Sequence, residues 1–389
     1  MLVRYRSRCL AALLSLALLT AACGDEPAAL DHGGYALEPV PGDFDDAPSR
    51  VRGSLVESVR IGERLLFADR VDPDLIEGDG GGVVVGPNGV DELLSGVQKT
   101  ALDPFDVLAG FGAIGSNGQL DNEQKHKLLS ITILSLPDAE QAGAAAHAMA
   151  AADFGANAEN APLPPLPEYP AALSHWRPGV PTVGSWLVWK NLVIRVYAKV
   201  IDPRAEVLTD LLTRTYRAQL AELDTFVPTP PADLATLKLD SGHLLTRMVK
   251  TGEYWPDRWE FMVYGPRSYA LLLDKPSARL RDFEASSIDA VAVAHNKFLH
   301  RAKDQDAAQT HAENEEKVLL AADYTAITAP ALAGVSCFRA ARPNTEVSAA
   351  RRFVCVVRRN EFVVRMYSNQ ESDVRQLAVA QYALLSGSR

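Results

Sequence analysis

The sequence predicts an α+β protein of two related lobes, each an antiparallel sheet with helices on one face. Three observations carry this. First, the apolar period switches between two and about 3.6 along the chain. Leu129, Ile131 and Ile133 alternate as on a strand, and the alanine-rich run opened by Pro137 and Asp138 continues as a helix to about Phe154. Second, LVIRVY (192–197) and FVVRMY (362–367) are alike, and each precedes a polar turn and an amphipathic helix with a tyrosine, Tyr216 or Tyr382. Third, the 389 residues exceed what one hydrophobic core commonly serves. The repeated order is β-α-β-β-α, that of a ferredoxin-like split βαβ.

The chain opens with a basic segment, Arg4, Arg6 and Arg8, then an apolar run over residues 9–22. That run is short of the roughly 20 residues that span a bilayer comfortably, and it ends in small residues. This is the order of a secretory signal peptide, residues 1–22. Ala21 and Ala22 precede Cys23, and the segment resembles the lipobox of bacterial lipoproteins, with Thr20 where a Leu or Val is more usual. The resemblance implies that the Cys23 thiol receives a diacylglyceryl group and becomes the first residue of the mature chain. Each buried acyl methylene contributes about 0.8 kcal/mol, so two or more chains anchor stably. Residues 23–50 are rich in Asp, Glu, Pro and Gly and read as a flexible tether.

The first lobe is placed at 51–240. SVRIGERLLFADRV reads as strands, EGDGGGVVVGPNGV as a turn-rich loop, and SWLVWKNLVIRVYAKV as a hairpin turning at Lys190-Asn191. Asp202 and Pro203 read as the start of the next helix, whose stripe is Leu208, Leu212, Tyr216, Leu220 and Leu223. Pro228, Pro230 and Pro231 bar the following segment from a central strand, so it should run over the surface between the lobes. The second lobe is placed at 241–389. RWEFMVYG can supply an edge strand; Tyr269 to Leu273 reads as a strand and SSIDAVAVAHNKFLHRAKD as a helix. Strands follow near 324–327, 334–339, 352–358 and 362–367, and a last helix from about Ser372 to Leu385.

The formal net charge is −10 with the signal arginines counted. Such a chain repels nucleic acid and anionic headgroups, so nucleic acid is not an expected partner. Arg351, Arg352, Arg358 and Arg359 read as charged ends of a half-buried strand. With Cys9 removed and Cys23 acylated, Cys337 and Cys355 remain, an even pair in an oxidising compartment, and a bridge between them is expected.

No catalytic motif emerges. GFGAIG (110–115) matches G-x-G-x-x-G without the strand and helix a dinucleotide site needs, and reads as a glycine-rich loop. There is no P-loop, no G-x-S-x-G and no S-x-x-K. His295, His300 and His311, with Glu313, Glu315 and Glu316, are the only metal-like group. His295 and His300, five apart on the expected helix, would face different ways, so no metal is assigned. VDPDLIEGDGG lacks calcium-loop spacing. No cofactor is expected. Trp186, Trp189, Trp255 and Trp259 form the best hint of a ligand surface; Trp186 and Trp189, three apart on a strand, should face opposite ways.

LSITILSLPDAEQAGAAAHAMA (129–150) and AELDTFVPTPPADLATLKLD (221–240), with YGPRSYALLL after it, resemble a group of uncharacterised actinobacterial exported lipoproteins. LDHGGYALEPVP, IGERLLFADRVDPDL and GFGAIGSN fit the same pattern, in the same order along the chain. The resemblance implies export, lipidation and a two-part body, and brings no catalytic residue. The expected function is that of a lipid-anchored envelope protein, held at the membrane and facing outside the cytoplasm, that binds an envelope lipid, glycan or protein without catalysis. An envelope hydrolase and a structural spacer are the alternatives.

Overall fold

A computed structural model describes residues 30–39, 44–84, 93–251, 261–342 and 351–387. Fourteen strands and eight α-helices lie among them, and His32–Arg389 cluster as one compact unit. The signal segment, Cys23, Trp255 and Trp259 lie outside the described residues.

The strands make two all-antiparallel sheets of seven. The first holds β1 (Glu77–Val83), β2 (Ala109–Ser116), β3 (Leu128–Ser135), β4 (Ala161–Pro162), β5 (Leu173–Trp176), β6 (Thr182–Trp189) and β7 (Leu192–Lys199). Its order is β1-β2-β3-β7-β6-β5-β4. The second holds β8 (Phe261–Tyr264), β9 (Ile288–Ala294), β10 (Lys297–Ala302), β11 (Tyr324–Ile327), β12 (Val335–Ala340), β13 (Phe353–Arg359) and β14 (Phe362–Ser368). Its order is β8-β9-β10-β14-β13-β12-β11, the same connection pattern. The helices are α1 (Arg50–Gly62), α2 (Gly96–Leu102), α3 (Ala139–Gly155), α4 (Ala205–Leu223), α5 (Pro266–Ala270), α6 (Pro276–Ala285), α7 (Gln305–Ala321) and α8 (Glu371–Gly387).

The likeness of LVIRVY and FVVRMY is therefore structural. Each lies on the strand that closes a hairpin, after a turn residue at positive φ, Lys190 (55°) or Asn360 (52°). Leu134 stands opposite Val193 in one ladder, and His300 opposite Val363 in the other. Leu136 N–H donates to Asn191 O in the first lobe, and Ala302 N–H to Glu361 O in the second. The helix that follows β3 or β10 starts the same way: Asp138 accepts from Gln141 N–H, and Asp304 from Ala307 N–H. Such a carboxylate satisfies a donor that the first helical turn leaves unpaired. The expected order appears as β3-α3-β6-β7-α4 and β10-α7-β13-β14-α8.

The α+β class, the two lobes and the antiparallel sheets are as the sequence predicts; the helices divide between the two faces of each sheet. α3 covers Leu134, Trp186 and Val193. α4 covers the opposite face, where Tyr216 donates to Ser185 Oγ at 2.7 Å. In the second lobe α7 lies on the Arg365 face, bonded through Glu315. α8 lies on the Cys355 face, where Arg359 meets Tyr382. The split follows from β6, β7, β13 and β14 being apolar on both sides, a pattern that requires two covers.

Five element readings change. The first seven residues of EGDGGGVVVGPNGV form strand β1, paired with β2. SVRIG is the end of helix α1, which Ser49 caps through Arg52 N–H; its apolar stripe begins upstream at Leu55. GFGAIG lies in β2, where glycine is needed because a Cβ at Gly112 would stand 2.8 Å from Thr132 Oγ1. Tyr269 to Leu273 begins in α5, which Pro266 starts. Residues 288–302 form the β9–β10 hairpin, with His295 (φ 54°) and Asn296 at its turn. There the alternation of β-branched Val291 and Val293 outweighs the alanines between them. The tyrosines of the two closing helices also differ in place. The buried sets Leu212, Thr215, Tyr216, Gln219, Leu223 and Val374, Leu377, Ala378, Gln381, Leu385 share one spacing, so Tyr216 corresponds to Ala378.

Cys337 and Cys355 are directly opposite on β12 and β13, with Cα atoms 4.1 Å apart, and are bonded. Their separation of 18 residues puts the loop-closure contribution at about 3 kcal/mol. Cys355→Ser should lower unfolding stability by that much, read by denaturant titration, and reductant should lower the wild type equally but leave the variant unchanged.

One apolar cluster runs through both sheets. The lobes meet at α1 and α5. The Glu63 carboxylate accepts from Ser268 N–H at 2.7 Å, and Gly265 leaves room for it, since a Cβ there would lie 2.4 Å from that group. Among the described residues no helix is long and apolar enough to cross a membrane.

Candidate functional site

Two places in this frame have the makings of a site. The first is a cleft at the seam of the lobes. Gln219 of α4 fixes its first wall, accepting from Leu66 N–H at 3.0 Å and donating to Arg64 O at 2.8 Å. Gln381 of α8 holds the matching segment of the second lobe, accepting from Val249 N–H and donating to Arg247 O. Phe67 stands on the first-lobe side and Leu271 with Pro276 on the other, over a floor that includes Ala113 and Ile131. The rim is polar: Ser277 donates to Asp69 at 2.8 Å, and Lys275 lies 3.8 Å from Glu77. The cleft holds about 20 Å³ of free space, room for little more than one water, within about 360 Å³ that takes in the open solvent at its mouth. That shape, aliphatic inside and polar at the edge, suits the end of an acyl chain or an apolar side chain.

The second place is a buried ionic cluster under α7. Glu315 accepts from Arg365 at 2.5 Å and from Arg279 at 2.7 Å, one guanidinium on each oxygen. One turn earlier on α7, His311 Nε2 bonds His300 Nδ1 of β10 at 2.7 Å. Tyr269, Phe283 and Phe298 surround the imidazoles and Arg365. Burial works against ionisation of Glu315, but Arg365, the histidines and Arg279 hold its carboxyl well below the ordinary range. Burial pushes His300 well below its usual value and His311 down to about 4.

His300, His311 and Glu315 each offer a metal-ligand atom within 4.8 Å of the others. The set fits a cation poorly. Both Glu315 oxygens already serve cations, and the two nitrogens that face each other are bonded at 2.7 Å, too close to share a tetrahedral ion with 2.0–2.1 Å bonds. Of the other expected metal-like residues, His295 stands at the β9–β10 turn against Phe261, Glu313 accepts from Gln309, and Glu316 takes Ser336. The sequence puts His300, His311 and Glu315 in one group but places His300 on a helix; its place on β10, facing α7, is what brings the three together.

Trp186 and Trp189 do lie on opposite faces of β6. Trp186 is 1% exposed, sealed under α3 and stacked on His175 at 5.3 Å. Trp189 is half-buried and carries the Lys190 ammonium over its ring. His175 bonds Asp153 at 3.0 Å. Burial alone would raise the Asp153 carboxyl; hydrogen bonds from His175 and Gln98 hold it below its ordinary range. Ser95 also bonds this carboxylate instead of the imidazole, which differs from the serine–histidine–acid order of a hydrolase.

The family described as Domain of unknown function (DUF7373) matches twice, its N-terminal domain over residues 44–239 and its C-terminal domain over 244–388. No curated protein matches. A solved structure that resembles the chain is the extracellular domain of PknH from Mycobacterium tuberculosis. It has 11% identity and a TM-score of 0.25, covering 40% of this chain and 93% of that one. A likeness of that size carries no argument. The two family matches span most of the chain, which therefore belongs to the DUF7373 family, as its N-terminal and C-terminal domains in tandem.

Proposed function

We propose that this chain is an exported protein, anchored by lipid on Cys23, that binds an apolar group of an envelope lipid in the cleft between its lobes and catalyses no reaction on it. The observation that carries the reading is the cleft itself, where Phe67 and Leu271 from different lobes enclose an aliphatic floor behind a polar rim. The lipobox-like run ending at Cys23 supports the anchor, and the Cys337–Cys355 bridge supports an oxidising compartment. A glycan would want an aromatic platform; Trp186 is buried, and the half-buried Trp189 already carries the Lys190 ammonium over its ring.

Titration with a fluorescent long-chain fatty acid tests this. Wild type should bind saturably, and Ser277→Trp, which fills the mouth, should weaken binding tenfold or more, about 1.4 kcal/mol. Equal binding by both proteins, or none by wild type, removes the cleft as the site. Separately, Cys23→Ala should leave the membrane fraction or stay unprocessed. An unchanged membrane fraction carrying no acyl mass removes the anchor.

A further inference from the structure

We infer that the His300–His311 pair makes the second lobe acid-sensitive: a proton added to the pair releases α7 from β10 and β14 while the first lobe stays closed. The two lobes supply the contrast. At the places of His300, His311 and Glu315, the first lobe has Leu134, Ala145 and Met149, all fully buried in an apolar cluster with Trp186. Four buried positions of the two helices match, Ala142, Ala145, Ala146 and Met149 on α3 with Ala308, His311, Ala312 and Glu315 on α7; each helix also buries one residue without a buried counterpart, Ala150 and Leu319. The fold is thus made without these ionisable groups, and the second lobe carries them in addition.

The geometry leaves no place for another proton. In the 2.7 Å contact between His311 Nε2 and His300 Nδ1 one nitrogen donates and the other accepts. Protonating the acceptor turns two N–H groups toward each other. The outer nitrogens, His300 Nε2 and His311 Nδ1, are buried and meet no partner among the described residues. The charged and titratable groups around the pair are Glu315 on α7, Arg279 and Asp282 on α6, Arg365 and Tyr367 on β14, and Tyr269 on α5. β13 adds Arg358, opposite Val363 in the row that holds His300; β9 presents apolar Val291. β12 adds Ser336, bonded to Glu316 of α7, and β11 adds Tyr324 beyond Tyr367. The buried carboxylate in this set is already shared by two guanidinium groups.

The direction in pH follows. A released imidazole titrates near 6.5, and the docked ones titrate lower because burial disfavours the cation. Between those values the released state holds more protons, so docking is complete above pH 6.5 and weakens as pH falls toward 4. Each proton taken up multiplies release about tenfold per pH unit. Asp240, which burial pushes up to about 6, acts in the opposite sense at Leu244 to Thr246, so a whole-protein melt mixes the two effects and a local reading is required.

The test is amide hydrogen exchange on the full chain at pH 7, 6 and 5, expressed as protection factors so that the intrinsic pH dependence divides out. Protection in α7 and β10 should drop tenfold or more from pH 7 to 5, while α3 and β3 change less than about twofold. Unchanged α7 protection, or α3 falling in step with α7, overturns the inference. The double variant His300→Leu, His311→Ala places first-lobe residues in the second lobe and should lose the drop; a drop that persists also overturns it. Should that variant not fold, the wild-type contrast between α7 and α3 decides alone.

Discussion

Glu315→Gln should destabilise the second lobe by about 3–5 kcal/mol, the scale on which removing one member of a buried ion pair strands the other. The size follows from what stays behind. Arg365 and Arg279 are nearly buried, and each directs a guanidinium nitrogen at a Glu315 oxygen. An amide can accept on one side only and carries no charge, so at least one cation is left without an anion. The contribution has a pH signature. The Glu315 carboxyl is held below its unfolded value of 4.5, so the stabilisation is present above pH 4.5 and is lost as pH falls further. Denaturant midpoints for wild type and variant should differ most near pH 7 and draw together in strong acid. A gap of less than about 1 kcal/mol at pH 7 would mean that the arginines find other partners.

Gly53→Ala should cost about 3 kcal/mol or more, although alanine favours a helix by roughly 1 kcal/mol over glycine. Gly53 lies inside α1, and a Cβ there would stand 1.8 Å from Leu234 O. The obstacle is backbone, in the segment after Pro228, Pro230 and Pro231, and it is tied to α1 by Ser49 N–H donating to Ala235 O. It cannot move aside as a side chain can. Gly143 in α3 is the control, because nothing lies within 4 Å of its Cβ position. There the same substitution should stabilise by up to about 1 kcal/mol. Opposite signs at the two glycines, read in one thermal series, are the expected result.

Much of the architecture was legible. The short apolar, β-branched runs at Leu129 to Ile133 and in LVIRVY and FVVRMY name strands because such residues suit a sheet covered on both faces. Asp138 names a helix start because an unpaired turn wants an acceptor. What failed did so for local reasons. The β9–β10 hairpin hid behind alanines that also suit a helix, and that error removed His300 from the face it shares with His311 and Glu315. Gln219 and Gln381 gave no sequence signal, since a glutamine that clamps a distant backbone looks like any polar residue on a helix. The seam cleft was equally hidden: Phe67 and Leu271 line one cleft because α1 packs against α5. Comparing the lobes recovers part of this. Once Asp138 is set against Asp304, the change from Leu134, Ala145 and Met149 to His300, His311 and Glu315 is visible in the sequence.

Anchoring and binding can be read together in one native mass spectrum of the full chain extracted from membranes. The expected spectrum shows a polypeptide that begins at Cys23 and carries covalent diacylglyceryl mass, with a further lipid-sized adduct held non-covalently and absent from Ser277→Trp. A chain that begins elsewhere, or an unmodified Cys23 with no lipid adduct, would contradict a lipid-anchored, lipid-binding protein.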